Sequence, residues 1–542
     1  MTTLPLSYPI AKPSSLQPDW TGKTWAGLLS VLTCCTIMVH GYHPLAEDGG
    51  LYVSGIEYTL DHSLFPHYTA FVCEHLRFSI FAPAVATIVR FTHLSLLSTL
   101  FFLNLLSIWM TLFAARQILR RVVPGVSSRS QRAQLAGVAL LAAWWTMPVA
   151  GTSLMLMDPY VTARSFSTPL SLLAIAFALD EWHWHGTQLR SPLLCALCLA
   201  IAAVLHPLMA AYGLAFVITL RASRIDLPRT TRIAAWLTLM SSAIVLGALL
   251  QALAPPESAA LQLAAATRFY WFLSQWQWYE ILGLIGPLAV LGALTFFRRR
   301  KMLSTTATLC HTCLVVGAIS ALIALLFAHE TSAVHLVARL QVMRLNLPIY
   351  AVMSMLLGAA LYEACHESLQ CWRSSIATII LRLTPAIIIA TSAAIMGYVQ
   401  HQSFLLSQHV ELPGRTAESP NPWVQAFLWV RANTPRDALF ALDAKYVNTD
   451  GEDAQNFRAT ALRSALPDYS KDGGEASITP SLADQWQQGA AAQENLSLLN
   501  DAVRDEHLRP FGVTWMVLHS AAATAHPCPY DNGTVKVCML GP

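Results

Sequence analysis

Long apolar segments constrain this chain more than any other feature of its sequence. A helix needs about 20 apolar residues to cross the roughly 30 Å hydrocarbon core of a bilayer. Only 12% of the 542 residues are charged, about half the share in a soluble protein. The sequence therefore predicts a polytopic α-helical membrane protein with about eleven transmembrane helices, the fourth to sixth of them short. These segments are 25–41, 94–115, 133–150, 169–179, 193–205, 208–220, 233–253, 279–297, 306–328, 345–362 and 383–399.

The charged residues divide the chain in two. Of its 31 Asp and Glu residues, 16 follow Gln400, where they accompany 10 Lys and Arg residues. We therefore expect a transmembrane domain over residues 1–400 and a soluble domain of ordinary size over residues 401–542. The net charge of the whole chain is only +3, so the sequence offers no basic surface for nucleic acid.

The loops between the apolar segments differ in their content of Lys and Arg. With the N-terminus inside, the inner loops hold 18 of these residues and the outer loops hold 6. Cytoplasmic loops are enriched in Lys and Arg, so we expect a cytoplasmic N-terminus and an external, periplasmic C-terminal domain. The protein would then be a multi-pass protein in the lipid of a bacterial-type inner membrane. The first segment follows a long polar leader without a small-residue cleavage site, which predicts an uncleaved anchor.

The C-terminal domain has the pattern of a small α/β fold. Cys528 and Cys538 flank a turn at Asn532-Gly533, a dipeptide typical of hairpins. Because an external domain permits oxidation, we predict a disulfide between the two cysteines, the alternative being two free thiols. The domain has no recognisable nucleotide-binding loop, so we expect no nucleotide cofactor. The predicted helices are 423–430 and 495–504, and the predicted strands are 438–442, 513–519 and 535–540.

The longest outer loop, residues 42–93, opens with two adjacent carboxylates. Glu47 and Asp48 stand a few residues beyond the first apolar segment and precede two glycines, which allow a tight turn and a close ligand. A carboxylate at the lipid–water boundary can accept a proton from a hydroxyl or amine. It can instead bind a divalent cation that neutralises a leaving phosphate. Alternatively, the pair belongs to a solvated loop with Asp48 as a helix cap. Residues 52–60 and 78–89 predict helices on the membrane surface.

Three further outer positions carry residues that suit a phosphorylated substrate. Asp158 and Arg164 lie between the third and fourth segments, and a guanidinium can hold a phosphate through its planar fork. Arg339 and Arg344 lie between the ninth and tenth segments, and His206 precedes a proline at the outer end of the fifth. The plainer interpretations are an Asp-Pro turn, arginines at the water interface and a helix break.

These features together resemble the GT-C superfamily of integral-membrane glycosyltransferases. The shared features are an acidic pair soon after the first span, a long first outer loop with surface helices, eleven to thirteen spans and an external C-terminal domain. The superfamily includes the protein O-mannosyltransferases, the lipid A aminoarabinose transferase and the catalytic subunit of oligosaccharyltransferase. The resemblance implies a polyprenyl- or dolichyl-phosphate sugar as donor, with Asp48 as catalytic base or metal ligand.

The same resemblance assigns roles to the other outer residues. Glu47 would be the neighbour or substitute of Asp48, because this chain reads Glu-Asp-Gly-Gly where the family usually has Asp-Glu or Asp-x-Asp. Asp158 would bind the acceptor or, with Asp48, a divalent cation, and His206 would face the cavity. The cations that would contact the donor phosphate are Arg164, Arg339 and Arg344.

Two other classes of protein share the general architecture. A transporter or flippase for a lipid-linked or small substrate would carry charges that face one another at the membrane midplane. The predicted spans contain almost no charged residues, and the acidic residues of the candidate site fall at their outer ends. An envelope assembly protein without catalytic activity would act through its external domain. The sequence favours a glycosyltransferase with a lipid-linked donor.

Overall fold

The structure is a computed structural model that describes residues 20–182, 190–298, 302–369, 375–414, 419–448 and 456–541. Part of the inner loops that entered the count of Lys and Arg lies outside these residues. Helices dominate the described chain. Before the C-terminal domain they are α1 (Gly22–His40), α2 (Asp48–Leu60), α3 (Ala70–Cys73), α4 (Phe81–Thr92), α5 (Leu96–Val122), α6 (Ser128–Ala143), α7 (Ala163–Ala178), α8 (Arg190–Leu205), α9 (Pro207–Ala222), α10 (Arg229–Leu253), α11 (Ala259–Ala266), α12 (Trp278–Phe297), α13 (Ser304–Phe327), α14 (Leu336–Arg339), α15 (Asn346–Leu369) and α16 (Ser375–Ser403).

Within the described residues, seven helices are long and apolar enough to cross a membrane. Side chains on α10 and α16, such as Leu249 and Ile387, are more than half exposed. Apolar surfaces of that extent need lipid rather than water around them, as in a polytopic helical membrane protein. The seven are α1, α5, α10, α12, α13, the run Leu336–Ser368 that contains most of α15, and Thr378–Ser403 of α16.

Four of the eleven predicted spans form shorter helices. α6, α7, α8 and α9 have 16 residues each, fewer than a perpendicular crossing needs. The predicted segment 133–150 is helical only as far as Ala143, and the chain then turns back so that Pro148 pairs with Met155. Between α8 and α9, His206 is extended and Pro207 begins the new helix, because proline fits the first turn of a helix but not its interior.

The predicted first outer loop, residues 42–93, is a folded unit over the ends of the helices that adjoin it. Residues 52–60 lie within α2, as their periodicity predicts, and residues 78–89 lie mostly within α4. α4 follows the helical run Ala70–Phe78 after a bend of 100°. Val53, Ile56 and Val85 are buried in one shared core. The loop therefore holds its polar residues on rigid helices.

The bundle packs closely where α6 meets α15. A Cβ atom added at Gly358 would lie 2.5 Å from the carbonyl oxygen of Ala136, and one at Gly137 would lie 2.5 Å from that of Met355. Small residues let membrane helices approach each other in this way.

The C-terminal domain contains a five-stranded sheet in the order β2-β1-β3-β5-β4. The strands are β1 (Leu439–Ala441), β2 (Ser464–Ala465), β3 (Trp515–His519), β4 (Tyr530–Asp531) and β5 (Val535–Met539), and the helices are α17 (Pro422–Asn433), α18 (Phe457–Ala461), α19 (Lys471–Ile478), α20 (Ala483–Ala492) and α21 (Asp501–Leu508). β1 is parallel to β2 and β3, while β5 is antiparallel to β3 and β4. The three predicted strands correspond to β1, β3 and β5.

Two local features of this domain bear on the sequence predictions. A disulfide joins Cys528, just before β4, to Cys538 in β5, across the turn that contains Gly533. The predicted helix 495–504 begins late, at Asp501, because the Asn500 side chain accepts a hydrogen bond from the Val503 N–H and so caps the helix there.

The C-terminal domain packs directly on the loops that the sequence predicts to be outer. The Tyr42 N–H donates to the carbonyl oxygen of His409 at 3.0 Å, and the Glu411 N–H donates to that of Tyr42 at 2.9 Å. α18 contacts α2, and α19 contacts α11. A Cβ atom at Gly50 would lie 1.9 Å from the Asn456 side chain, so only glycine permits this approach. The first loop and the C-terminal domain thus enclose one space.

Candidate active site at the outer helix ends

The acidic pair stands where the chain turns from α1 into α2. Glu47 has a left-handed φ of 46° and precedes α2, and Asp48 is the first residue of that helix. The His43 N–H donates to the Pro159 carbonyl oxygen at 2.9 Å. This bond ties the acidic pair's loop to the segment that carries Asp158.

The C-terminal domain supplies the nearest cation. Lys471, the first residue of α19, forms an ion pair with Glu47, and its Nζ atom lies 3.4 Å from Oδ1 of Asp48. Sequence reasoning missed Lys471, because 423 positions separate it from Asp48 and no local pattern marks it. The ion pair connects the first loop to the domain that covers it.

Asp48 lies deep in the molecule but remains accessible to water. Its side chain keeps 43% of its surface exposed, as expected for a group on the wall of a cleft. Burial opposes ionisation of this carboxyl group. The charges of Lys471, Arg164 and Arg344 outweigh that effect and lower its pKa to about 2. Asp48 is therefore an ionised group at neutral pH.

Asp158 and Arg164 form a buried ion pair beside Asp48. Both Nη2 and Nε of Arg164 donate to Oδ2 of Asp158, the Nε bond at 3.2 Å. Burial raises the pKa of Asp158, and Arg164 opposes that rise. Since each residue of the pair interacts electrostatically with Asp48, the two predicted outer positions share one site.

Arg344 is the cation of the site that lacks a carboxylate partner. Among the described residues no ion pair forms to Arg344; its guanidinium lies 5.4 Å from the Tyr270 ring centre, and its buried Nε has no hydrogen-bond acceptor. Its charge acts on Asp48 and on His206. An unpaired guanidinium in a partly buried cleft suits an anion.

The segment before Arg344 is held in an unusual conformation. Gln341 has a left-handed φ of 47°, and its buried Oε1 has no hydrogen-bond donor among the described residues. The Tyr212 hydroxyl donates to the carbonyl oxygens of Leu340 and Gln341, at 2.5 and 3.0 Å. The phenol of α9 thereby fixes the backbone that presents Arg344.

His206 caps α9 beside these cations. Its Nδ1 accepts a hydrogen bond from the Met209 N–H at 3.4 Å, so the helix break has a structural explanation. Burial, together with Arg164 and Arg344, lowers the pKa of His206 to about 4. The imidazole is therefore neutral at pH 7, with Nδ1 as acceptor.

Arg339 belongs to a separate cluster. Its Nη2 lies 2.7 Å from Oε1 of Glu257, whose other oxygen lies 2.7 Å from Nδ1 of His335. The His335 backbone N–H also donates to Glu257 at 2.6 Å. This arrangement joins the start of α11 to α14. It also pairs Arg339, one of the three cations predicted to contact the donor phosphate, with a carboxylate of the protein.

A second acid of α19 lines the same region. Glu475 lies 3.9 Å from Nδ1 of His75, and both ring nitrogens of His75 lack hydrogen-bond partners among the described residues. Burial, followed by the charges of Asp472, Asp48 and Glu74, raises the pKa of Glu475 to about 8. Burial lowers the pKa of His75 to about 4. Both groups are thus mainly neutral at pH 7.

The residues present do not form a metal site. The described part of the chain contains no group of three or more His, Cys, Asp or Glu side chains that could hold a metal ion. Of the two carboxylates predicted as ligands, Asp48 faces Lys471 and Asp158 is bonded to Arg164. Both carboxylates thus pair with cations of the protein itself, which disfavours a divalent ion between them.

Comparison with known proteins adds no relative. No protein-family model matches the sequence, and no curated protein matches it either. The resemblance to the GT-C superfamily consequently rests on the residues and their arrangement.

Proposed function

We propose that the protein is a membrane glycosyltransferase that moves a sugar from a polyprenyl phosphate to an acceptor at the outer face of the membrane. One observation carries the proposal: Asp48 is an ionised carboxylate open to water, and its charge interacts with the guanidinium of Arg344, which has no carboxylate partner among the described residues. A lipid-linked phosphate sugar needs both a base for the acceptor and a cation for the leaving phosphate.

The reaction would use these groups in complementary ways. The acceptor oxygen or nitrogen forms a bond to the anomeric carbon, and Asp48 takes its proton. The bond between the anomeric carbon and the phosphate oxygen breaks, and its electron pair stays with the phosphate. Arg344 stabilises the charge that develops there. Asp158 keeps Arg164 in place through their ion pair.

The low pKa of Asp48 makes it a weak base in the ligand-free protein. A donor phosphate bound at Arg344 would bring negative charge to the same cleft and offset the cations that lower this pKa. Asp48 would then become more basic once the donor is bound. The electrostatics therefore support a reaction in which the donor binds first.

The membrane arrangement forms part of the same proposal. The short helices α6–α9 would lie tilted within the bilayer and complete eleven spans. The N-terminus would be cytoplasmic and the C-terminal domain periplasmic, in an inner membrane. The 18 to 6 distribution of Lys and Arg supports this orientation.

The direct test is sugar transfer from a labelled polyprenyl-phosphate sugar in membranes. The variants are Asp48→Asn and Glu47→Gln, and the matched control is Asp61→Asn, an acid at the end of α2 that is 45% exposed. Loss of a general base costs about 10²- to 10⁴-fold in rate, so Asp48→Asn should lose transfer while Asp61→Asn retains it. Near-normal transfer by both Asp48→Asn and Glu47→Gln would refute the proposal.

A further inference from the structure

A second cavity lies at the end of the bundle remote from Asp48. It has a volume of about 250 Å³ and lies between the C-terminal ends of α5, α12 and α15 and the N-terminal end of α13. Its walls are largely apolar and include Leu294, Leu303, Cys310, Leu356 and Ala359. It is separate from the proposed active site: the chain just before α1 lies at α6, where the Trp20 N–H donates to Gln131, one residue from Ser130 of the cavity wall, whereas Asp48 follows the C-terminal end of α1.

The interior of this cavity offers little to water. The Thr306 hydroxyl, one of its few polar wall groups, already donates to the Val122 carbonyl oxygen at 2.7 Å. A buried water needs two to four polar partners, whereas apolar cavities of about 150 Å³ stay dry and bind apolar molecules. The cavity therefore suits a hydrocarbon chain better than a soluble metabolite.

Charged residues stand at the mouth of the cavity. Glu363 pairs with Arg129, and Nη2 of Arg298 lies 3.6 Å from Glu367. The Arg298 side chain is 28% exposed and is the last described residue after α12. Helix ends of this kind lie at the depth of lipid headgroups, where a guanidinium binds phosphate well.

We propose that this cavity binds one acyl chain of a membrane phospholipid, with the lipid phosphate at Arg298. The apolar interior, whose Thr306 hydroxyl is already hydrogen-bonded, matches the acyl chain. Arg298 at the mouth matches the lipid phosphate. The inference is independent of the glycosyltransferase proposal, because it concerns neither the cleft nor its chemistry.

Native mass spectrometry of the full-length protein in mild detergent tests this inference. Wild type should keep one phospholipid molecule bound after the other lipid molecules have dissociated. This result should be the same with added phosphatidylethanolamine and with added phosphatidylglycerol. Ala359→Leu fills the cavity and should lower occupancy about tenfold, equivalent to roughly 1.4 kcal/mol of binding energy. Arg298→Gln should weaken retention of both lipids. The matched control is Val245→Leu on the lipid-facing side of α10, where the side chain is 57% exposed.

Equal lipid retention by Ala359→Leu and Val245→Leu would overturn the proposal. Should Ala359→Leu fail to fold, wild type decides the question with a phospholipid that carries a photoreactive group in its acyl chain. Crosslinks should then map to residues 303–310 and 356–360. Crosslinks confined to the exposed faces of α10 and α16 would contradict an internal site.

Discussion

Two charged clusters lie in the connections between the apolar helices at the end that the C-terminal domain covers, and they differ in how completely their carboxylates are paired. The Glu257 side chain is 3% exposed and binds His335 twice and Arg339 once. The Asp48 side chain is 43% exposed, and Nζ of Lys471 approaches it only to 3.4 Å. A buried carboxylate that is fully paired holds two segments together. A partly exposed carboxylate with a looser partner remains available to a ligand. Similar residues in similar loops thus suit different tasks.

The largest difference between the clusters should be in stability. Glu257→Gln leaves His335 and Arg339 without their buried anion, and removal of one partner of such a pair costs about 3–5 kcal/mol. The Tm of the purified protein should fall accordingly. Glu47→Gln, in the cluster of Asp48, should lower Tm less, because the Glu47 side chain is 36% exposed and water can replace part of its interaction with Lys471. An equal decrease of Tm in the two variants would contradict the proposed difference between the clusters.

Arg344 should matter for donor binding rather than for stability. Its guanidinium has no carboxylate partner among the described residues, so Arg344→Gln breaks no ion pair of the protein and removes chiefly a bond to the substrate. A hydrogen bond to a charged group contributes about 1.5–3 kcal/mol, which corresponds to a rise of about 10- to 100-fold in the donor KM. Arg77→Gln, a loop arginine that is 73% exposed, is the control. An unchanged KM in Arg344→Gln would exclude Arg344 as the phosphate ligand.

A smaller effect concerns the pH dependence of activity. Because Lys471 helps to hold the pKa of Asp48 at about 2, Lys471→Met should raise that pKa towards the ordinary value of about 3.9. A base works only when deprotonated, so kcat/KM of the variant should decline as the pH falls towards 4, where wild type is still ionised. Lys445→Met, a C-terminal-domain lysine that is 49% exposed, is the control. If kcat/KM declines at the same acid pH in all three proteins, Lys471 does not lower the pKa of Asp48.

Local patterns in the sequence predicted the helices and strands that depend mainly on neighbouring residues. Apolar segments of sufficient length became helices, the periodicity of residues 52–60 became α2, and the strands around β1, β3 and β5 followed their apolar runs. The span assignment was least certain where helices are short. The break at His206 separates α8 from α9 as the segments 193–205 and 208–220 predict, whereas the reversal after Ala143 ends a helix that the apolar run would continue to residue 150.

Tertiary pairing could not be predicted in the same way. Arg339 and Arg344 looked alike in sequence, yet Glu257, 82 positions from Arg339, engages only the first of them. Lys471 reaches Asp48 across 423 positions, and no spacing rule relates the two. Sequence reasoning therefore found Asp48, Asp158 and two of the cations that act on Asp48, Arg164 and Arg344, but it could not find Lys471.

We propose that the site at Asp48 cleaves a lipid-linked phosphate sugar. The most direct measurement reconstitutes the purified protein in liposomes with a labelled polyprenyl-phosphate sugar and an acceptor extract, and follows both the sugar and the lipid. Wild type should release polyprenyl phosphate as the sugar reaches the acceptor, and Asp48→Asn should slow this release about 10²- to 10⁴-fold. Donor that crosses the bilayer with its sugar still attached, equally fast in both proteins, would contradict the claim and identify a transporter.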